Sequence, residues 1–475
     1  MSKANQEATG TSFFERFFKL KAHKTTVRIE IMAGITTFFA SAFTILAIPG
    51  MIGQDDPRVI NGVFFAACLS AAIGTLMKSL IVNIPFVQAP GMGLGSFFAF
   101  TAMPALAVLA GDPDLPLVQQ YQMALSLVFI SGVIFTLSSI GGIREKIIDG
   151  IPRNIKLALG SGIGLFITLL GLRQSGLVVG SPSTFVTLIN FGNIAENGTA
   201  ILGAILSLIG LLVMVVLAAR KVKGAILIGI IFTTILAYVT GHTTMPEVFS
   251  FNLVGGARDF FEVSFFRMDF TTMFASEGGG AAIGVIMALI SAFVLVNMLD
   301  ALGTIFGIGS AAGMVDEKGE VIGLKKGMTV DAIGTAIGAA LGSSSTATVV
   351  SSASGIAEGG RTGLTSLVTG LLFLASLFLA PFVGLIPLVA TAPALIYVGC
   401  LMMSHIKEVD FQDLTEAFPA FLTIAMMPLT FSIANGIAFG LISYTLIKLF
   451  TGRIKEVKPA AVVIAIVFVL QYVLG

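Results

Sequence analysis

Gly342–Gly355 reads GSSSTATVVSSASG, a run of hydroxyl side chains without a Leu or Phe, inside an otherwise apolar chain. Thr346, Thr348, Val349 and Val350 favour extended backbone, and Ser and Gly surround them. The segment falls where an apolar helix is due, so it reads as a helix broken by a short strand. A break of this kind exposes N–H and C=O groups that lipid cannot satisfy, and at membrane depth it is tolerated only where it is buried in protein or lines a cavity.

The rest of the chain sets that depth. Of 475 residues, 56% are hydrophobic and 11% charged, with mean hydropathy +0.98, whereas a soluble domain carries about 25% charged residues. Long apolar runs recur from Ile29 to Leu474, many close to the ~20 residues that span a bilayer as a helix. A barrel would show short alternating strands instead. The expected fold is an all-α polytopic membrane protein with about 14 transmembrane spans. Residues 1–28 form a polar, basic cytoplasmic segment, 29–451 the transporter domain, and 452–475 a C-terminal segment whose short apolar run, 459–474, is a span or an interfacial helix. With the N-terminus inside, 22 of the 27 Lys and Arg fall on the cytoplasmic side and four outside, the bias expected of a multi-pass protein. Cys68 and Cys400 lie in apolar runs and read as buried thiols. The net charge of +1 suggests no nucleic-acid partner.

Two short words repeat in order. Ser41-Ala42-Phe43 in the first span recurs as Ser291-Ala292-Phe293 in the eighth, and Ala72-Ile73-Gly74-Thr75 in the second as Ala332-Ile333-Gly334-Thr335 in the ninth. Seven spans repeated, 29–241 and 281–451, give halves of opposite topology, a signature of secondary transporters. The third span of the first half, PFVQAPGMGLGSFFAF (85–100), is interrupted by Pro90, Gly91, Gly93 and Gly95. Its counterpart, the tenth, is the opening stretch. Paired breaks at matching positions point to a substrate cavity; helix packing through small residues is the alternative.

Asp300 stands alone in an uncharged stretch, 278–315. An acid at membrane depth is a candidate functional group, able to hold a proton or accept a substrate N–H. Asp331 reads as an acid near the positive end of the ninth helix, and Lys78 as a snorkelling inner-leaflet residue. Glu358 and Arg361 read as a helix entry. No metal cluster, phosphate loop or nucleophile–base pair is visible, so neither cofactor nor catalysis is expected.

APGMGLGSFFAF (89–100), LDALGTI (299–305) and SSASGIAEGGRTGLT (351–365) resemble motifs of the adenine/guanine/hypoxanthine permeases, the AzgA-like branch of the nucleobase–cation symporter (xanthine/uracil permease) family. ISGVIFTLSSIGGIREKIIDGIP (130–152) and MPLTFSIANGIAFG (427–440) are similar too. The resemblance implies two inverted seven-span repeats divided into core and gate domains, with strands in the third and tenth spans. It implies a substrate site at Phe98, Asp300, Val350, Ser351 and Ser352, with Asp300 also coupling the proton. The cavity around the half-helices and strands would involve Gly91, Gly93, Gly95 and Thr348. Two positions depart from the family pattern: Ser351 stands where the family has Glu, and Gly95 where it has Asn.

The expected function is proton-coupled uptake of a purine nucleobase across the plasma membrane, by a multi-pass protein with a cytoplasmic N-terminus. A homodimer is compatible with this. The alternatives are transport of another small solute or anion on the same fold, and a non-transporting sensor or channel.

Overall fold

The computed structural model describes residues 13–139, 151–181, 185–192, 194–222, 224–243, 253–274, 279–311, 314, 321, 323–379 and 385–474. Much of the 130–152 motif and the first twelve residues lie outside this set.

The first span is α1 (Val27–Ser41) followed by α2 (Phe43–Gly53), and the second is α3 (Pro57–Met77). Their starts follow from capping: the Thr26 side chain accepts from Ile29 N–H, and the Asp56 side chain accepts from Arg58 N–H, with Pro57 in the first turn, where its missing donor costs nothing. The third span is strand β1 (Gln88–Pro90) and then helices α4 (Met92–Phe97) and α5 (Met103–Leu109). After it come α6 (Leu117–Ser138), α7 (Arg153–Gln174), a hairpin of β2 (Val178–Ser181) and β3 (Phe185–Leu188), α8 (Ile194–Ala219) and α9 (Ala225–Val239). The second half runs α10 (Gly279–Ala311), α11 (Leu324–Leu341), β4 (Thr346–Thr348), α12 (Ser352–Ala357), α13 (Gly363–Ala375), α14 (Leu388–Met402), α15 (Leu414–Leu429), α16 (Ile433–Phe450) and α17 (Pro459–Leu474). Seven helices among the described residues are long and apolar enough to cross a bilayer, and five shorter apolar ones accompany them.

The helices sort into two groups by packing. In one, α13 lies against α1 and α3, and α11 against α3 and α6, with α10 alongside α6. In the other, α7 packs on α14 and α15, α15 on α16, and α8 and α9 on α14. The second group is tightly seamed. A Cβ on Gly164 would meet the Gly399 carbonyl oxygen at 2.7 Å, and one on Gly399 would meet that of Gly164 at 2.5 Å. Small residues let helix backbones touch where lipid offers no hydrophobic drive to associate. Helix α17 packs against α16 of the second group and α10 of the first. Cys68 is buried, but Cys400 is exposed on the surface of α14, where an apolar thiol suits a lipid-facing position as well as a core.

The two broken spans meet. β1 and β4 pair antiparallel, with Gln88 opposite Thr348, Ala89 opposite Ala347 and Pro90 opposite Thr346. Two strands from opposite halves running antiparallel is the geometry an inverted repeat produces. Gly342 makes the turn into the second of them: its φ of +100° ends α11 and releases the chain into Ser343, a conformation that Gly adopts readily.

The turn after the tenth span is held by a carboxylate from another helix. Glu30 of α1, fully buried, accepts the backbone N–H groups of Arg361 (2.8 Å), Thr362 (3.3 Å) and Thr365 (3.1 Å) and the Thr365 hydroxyl (2.6 Å). The Arg361 guanidinium donates to the carbonyls of Ile356 and Gly360, the C-terminal end of α12, where positive charge is favourable. Glu30 thus caps the start of α13, and removing it strands several buried donors. Glu30→Ala is expected to lower stability by about 2–4 kcal/mol, seen as an earlier midpoint in thermal unfolding of the detergent-solubilised protein; an unchanged midpoint would remove Glu30 from this role.

Candidate functional site

The hydroxyls of the strand crossing divide into two sets. The first satisfies unwound backbone. Thr75 accepts from Gln88 N–H (3.1 Å) and donates to Gln88 C=O (2.9 Å). Thr335 donates to Thr346 C=O (2.7 Å). These are the last residues of the two repeated words, so the internal repeat marks the pair of side chains that clamp the two strands. The glycines before them serve the same crossing: a Cβ on Gly74 or Gly334 would meet the Gln88 side chain at 2.6 or 2.2 Å. Gln88 Nε2 in turn donates to Asp331 C=O (3.1 Å) and Thr346 Oγ1 (3.2 Å). Ser352 Oγ accepts from Val87 N–H (3.0 Å) and donates to Val349 C=O (2.8 Å), and Ser366 Oγ donates to Ile84 and Phe86 C=O.

The second set has no partner among the described residues. Ser343, Ser344 and Ser345, all fully buried, and Ser351 present hydroxyls without a hydrogen bond. Buried polar atoms are ordinarily satisfied, so these hydroxyls stand out from the set that serves the strands. Ser344 Oγ lies 3.6 Å from where a Cβ on Gly95 would sit.

The residues singled out from sequence occupy distinct surroundings. Gly91 precedes α4 in extended conformation, and a Cβ there would meet nothing within 4 Å. Gly93 faces α7, with Ile163 at 2.9 Å from such an atom, and Gly95 faces Ile48 at 3.3 Å. Phe98 is fully buried, its ring edge-on to Tyr121 at 6.1 Å between centroids. Val350 is 61% exposed, at the junction of β4 and α12. Asp300 lies on α10, whose packing partners include β4. Its carboxylate accepts no hydrogen bond from any described residue, while Asn297, one turn earlier, donates to Thr335 Oγ1 at 2.7 Å.

Two expectations are corrected. Lys78 does not snorkel, and Asp331 does not serve the end of its helix. Asp331 lies two turns into α11, beyond the first turn where the dipole acts. Lys78 Nζ sits 2.7 Å from Asp331 Oδ1, with both side chains fully buried. Thr348 joins them: its hydroxyl donates to Asp331 Oδ2 at 2.6 Å and also meets the Lys78 ammonium. A Lys near the end of an apolar run looks the same in sequence whether it rises to the interface or turns inward to an acid. The ladder of α3 widens into a π turn over Lys78–Val82, which sequence did not signal; such turns are frequent at functional sites.

Other charges are accounted for elsewhere. Lys448 is paired with Glu416 (2.9 Å) and Glu456 (2.7 Å), and Arg453 with Asp413 (2.8 Å). Hydrogen bonds from Thr415 and Arg453 hold the Asp413 carboxyl down at about 2, so this clasp stays ionised through the physiological range.

The arrangement is an unwound crossing between two inverted halves, with hydroxyls and one acid beside it that no described residue bonds. Comparison with known proteins accords with it. The chain is 36% identical over 475 residues to the adenine permease AdeP of Escherichia coli, covering 98% of this chain and 97% of that protein. It is 36% identical over 458 residues to the guanine/hypoxanthine permease PbuO of Bacillus subtilis, covering 96% and 99%. In fold it matches the transmembrane domain of the cyanobacterial bicarbonate transporter BicA, with TM-score 0.58, 16% identity and coverage of 93% and 97%; the two helix groups are therefore the core and gate of that inverted-repeat architecture. The permease-family model for xanthine and uracil permeases matches residues 28–439. The chain is a multi-pass membrane transporter, not an enzyme, and belongs to the xanthine/uracil permease family.

Proposed function

We propose that this protein takes up a purine nucleobase together with a proton, across the plasma membrane and with its N-terminus in the cytoplasm. The observation that carries the proposal is the Asp300 carboxylate, unbonded by any described residue and carried by a helix that packs on β4. A purine presents ring and exocyclic N–H groups that such an acceptor suits, and an ionisable acid in a membrane core is suited to carry a proton. The names of the two relatives, permeases for adenine and for guanine/hypoxanthine, point to the same substrate class. The lysine and arginine bias supports the orientation. A purine beside the β1–β4 pair would meet Asp300 from α10 and the Ser351 hydroxyl from the tenth span.

The neutral Ser351 favours a second reading, a small solute that brings its own acceptor for the hydroxyl. Uptake of labelled adenine, guanine, hypoxanthine, uracil and bicarbonate in a permease-deficient host, with and without a protonophore, separates the two. Purine accumulation that collapses with the proton gradient is the expected result; bicarbonate uptake without purine uptake would overturn it.

Ser351 also gives a specific test of the pocket. Ser351→Glu restores a charged acceptor and is expected to tighten guanine or hypoxanthine binding by about 1–2 kcal/mol, roughly five- to thirtyfold. The gain should vary across pH 5–8, because two carboxylates would then share the site. Titration of each purine against both forms measures it, and weaker binding by the Glu form would mean that Ser351 is not the base-contacting position.

A further inference from the structure

The Lys78–Asp331–Thr348 cluster is absorbed by neither the fold nor the proposed site. Its ammonium is fully buried and held by oxygen atoms alone among the described partners: Asp331 Oδ1 at 2.7 Å and the Thr348 hydroxyl. Those atoms come from α11 and from β4. The same carboxylate binds Thr348 through its other oxygen, and the Asp331 carbonyl receives Gln88 Nε2 and Thr335 Oγ1. The cluster therefore ties α3, α11, β1 and β4 at one point. Stability alone is a poor account of it, because desolvating both charges offsets most of their attraction, and apolar replacements of such pairs are often no less stable.

The ligand chemistry is more telling. Secondary transporters place their coupling cations beside unwound helices, and hard metal cations take oxygen ligands, carboxylates among them. Here that kind of oxygen set, at that kind of place, is filled by a compact point charge on a flexible stem. We propose that the Lys78 ammonium is a tethered cation standing where a coupling metal ion would bind, and that it positions β4, and through it Val350 and Ser351, without any bound metal. Asp331 is then neutralised from within the chain, while Asp300 has no ion-pair partner among the described residues.

This inference rests on the base-transport reading, and its test keeps the two apart. The full-length detergent-purified protein is titrated with tritiated adenine and guanine in sodium chloride and in choline chloride. Wild type should bind equally in both, within about twofold. Lys78→Ala should bind at least about tenfold more weakly in choline and recover when sodium or methylammonium fills the vacated space, as expected of a ligand that binds only the competent state. The uncharged, near-isosteric pair Lys78→Met/Asp331→Asn should fold, bind base weakly and ignore both cations. It carries the test should the single variant fail to fold. Wild type that needs sodium, a folded Lys78→Ala rescued by neither cation, or a double variant with wild-type binding would each overturn the proposal. A wild type that binds no base refutes the transport reading instead. The cation site is then still read by the melting temperature of Lys78→Ala, which sodium or methylammonium should raise; no rise would overturn the inference.

Discussion

Asp300→Asn is expected to fold and insert like the wild type yet to lose net purine accumulation. Asn keeps the volume of the side chain and one acceptor, so packing in α10 is preserved. What it loses is the capacity to ionise. A hydrogen bond to a charged group is typically stabilising by about 1.5–3 kcal/mol, against about 1 kcal/mol for a neutral one, so base affinity should fall by about tenfold as well. Two measurements check this: radiolabelled uptake across external pH 5–8, and equilibrium binding to the purified protein. Uptake should drop to background with its pH dependence gone, while size-exclusion behaviour in detergent stays unchanged. Near-normal uptake that still responds to pH would remove Asp300 from coupling and place the proton elsewhere.

Gly91→Leu should block binding without disturbing the fold. Gly91 has φ −79° and ψ 133°, which any L residue adopts, and its Cβ would meet nothing within 4 Å. A leucine there would project into the free space beside the strand crossing. Base affinity should fall tenfold or more, about 1.4 kcal/mol or above, at an unaltered melting temperature. Two other glycines provide the contrast. At Gly93 a side chain would press on Ile163 of the gate, and at Gly334 on the amide of Gln88 at 2.2 Å, so Gly334→Ala should damage the crossing itself and lower the melting temperature. Wild-type affinity in Gly91→Leu would show that the base lies elsewhere.

Much of this protein could be read from its residues in order. Hydropathy fixes helices because each span must satisfy its own backbone and present apolar side chains to lipid, and both demands are local. The breaks at Pro90–Gly95 and Gly342–Val350 were visible for the same reason: proline, glycine and β-branched residues act on their own backbone. Asp300 stood out because a lone acid in an apolar stretch needs no partner to be noticed. The repeated Ala-Ile-Gly-Thr showed that the halves correspond, but not that its threonines clamp the strands and its glycines make room for Gln88. Those facts depend on which segments meet, as do the antiparallel register of Gln88 with Thr348, the capping of α13 by Glu30 more than 300 residues away, and the exposure of Cys400. Lys78 and Asp331 show the limit most plainly. Each has a sensible local explanation, the interface for one and a helix end for the other, and both explanations fail because the partner is 253 residues distant. The charge of a side chain is written in the sequence; the field it sits in is made by whatever the fold brings beside it.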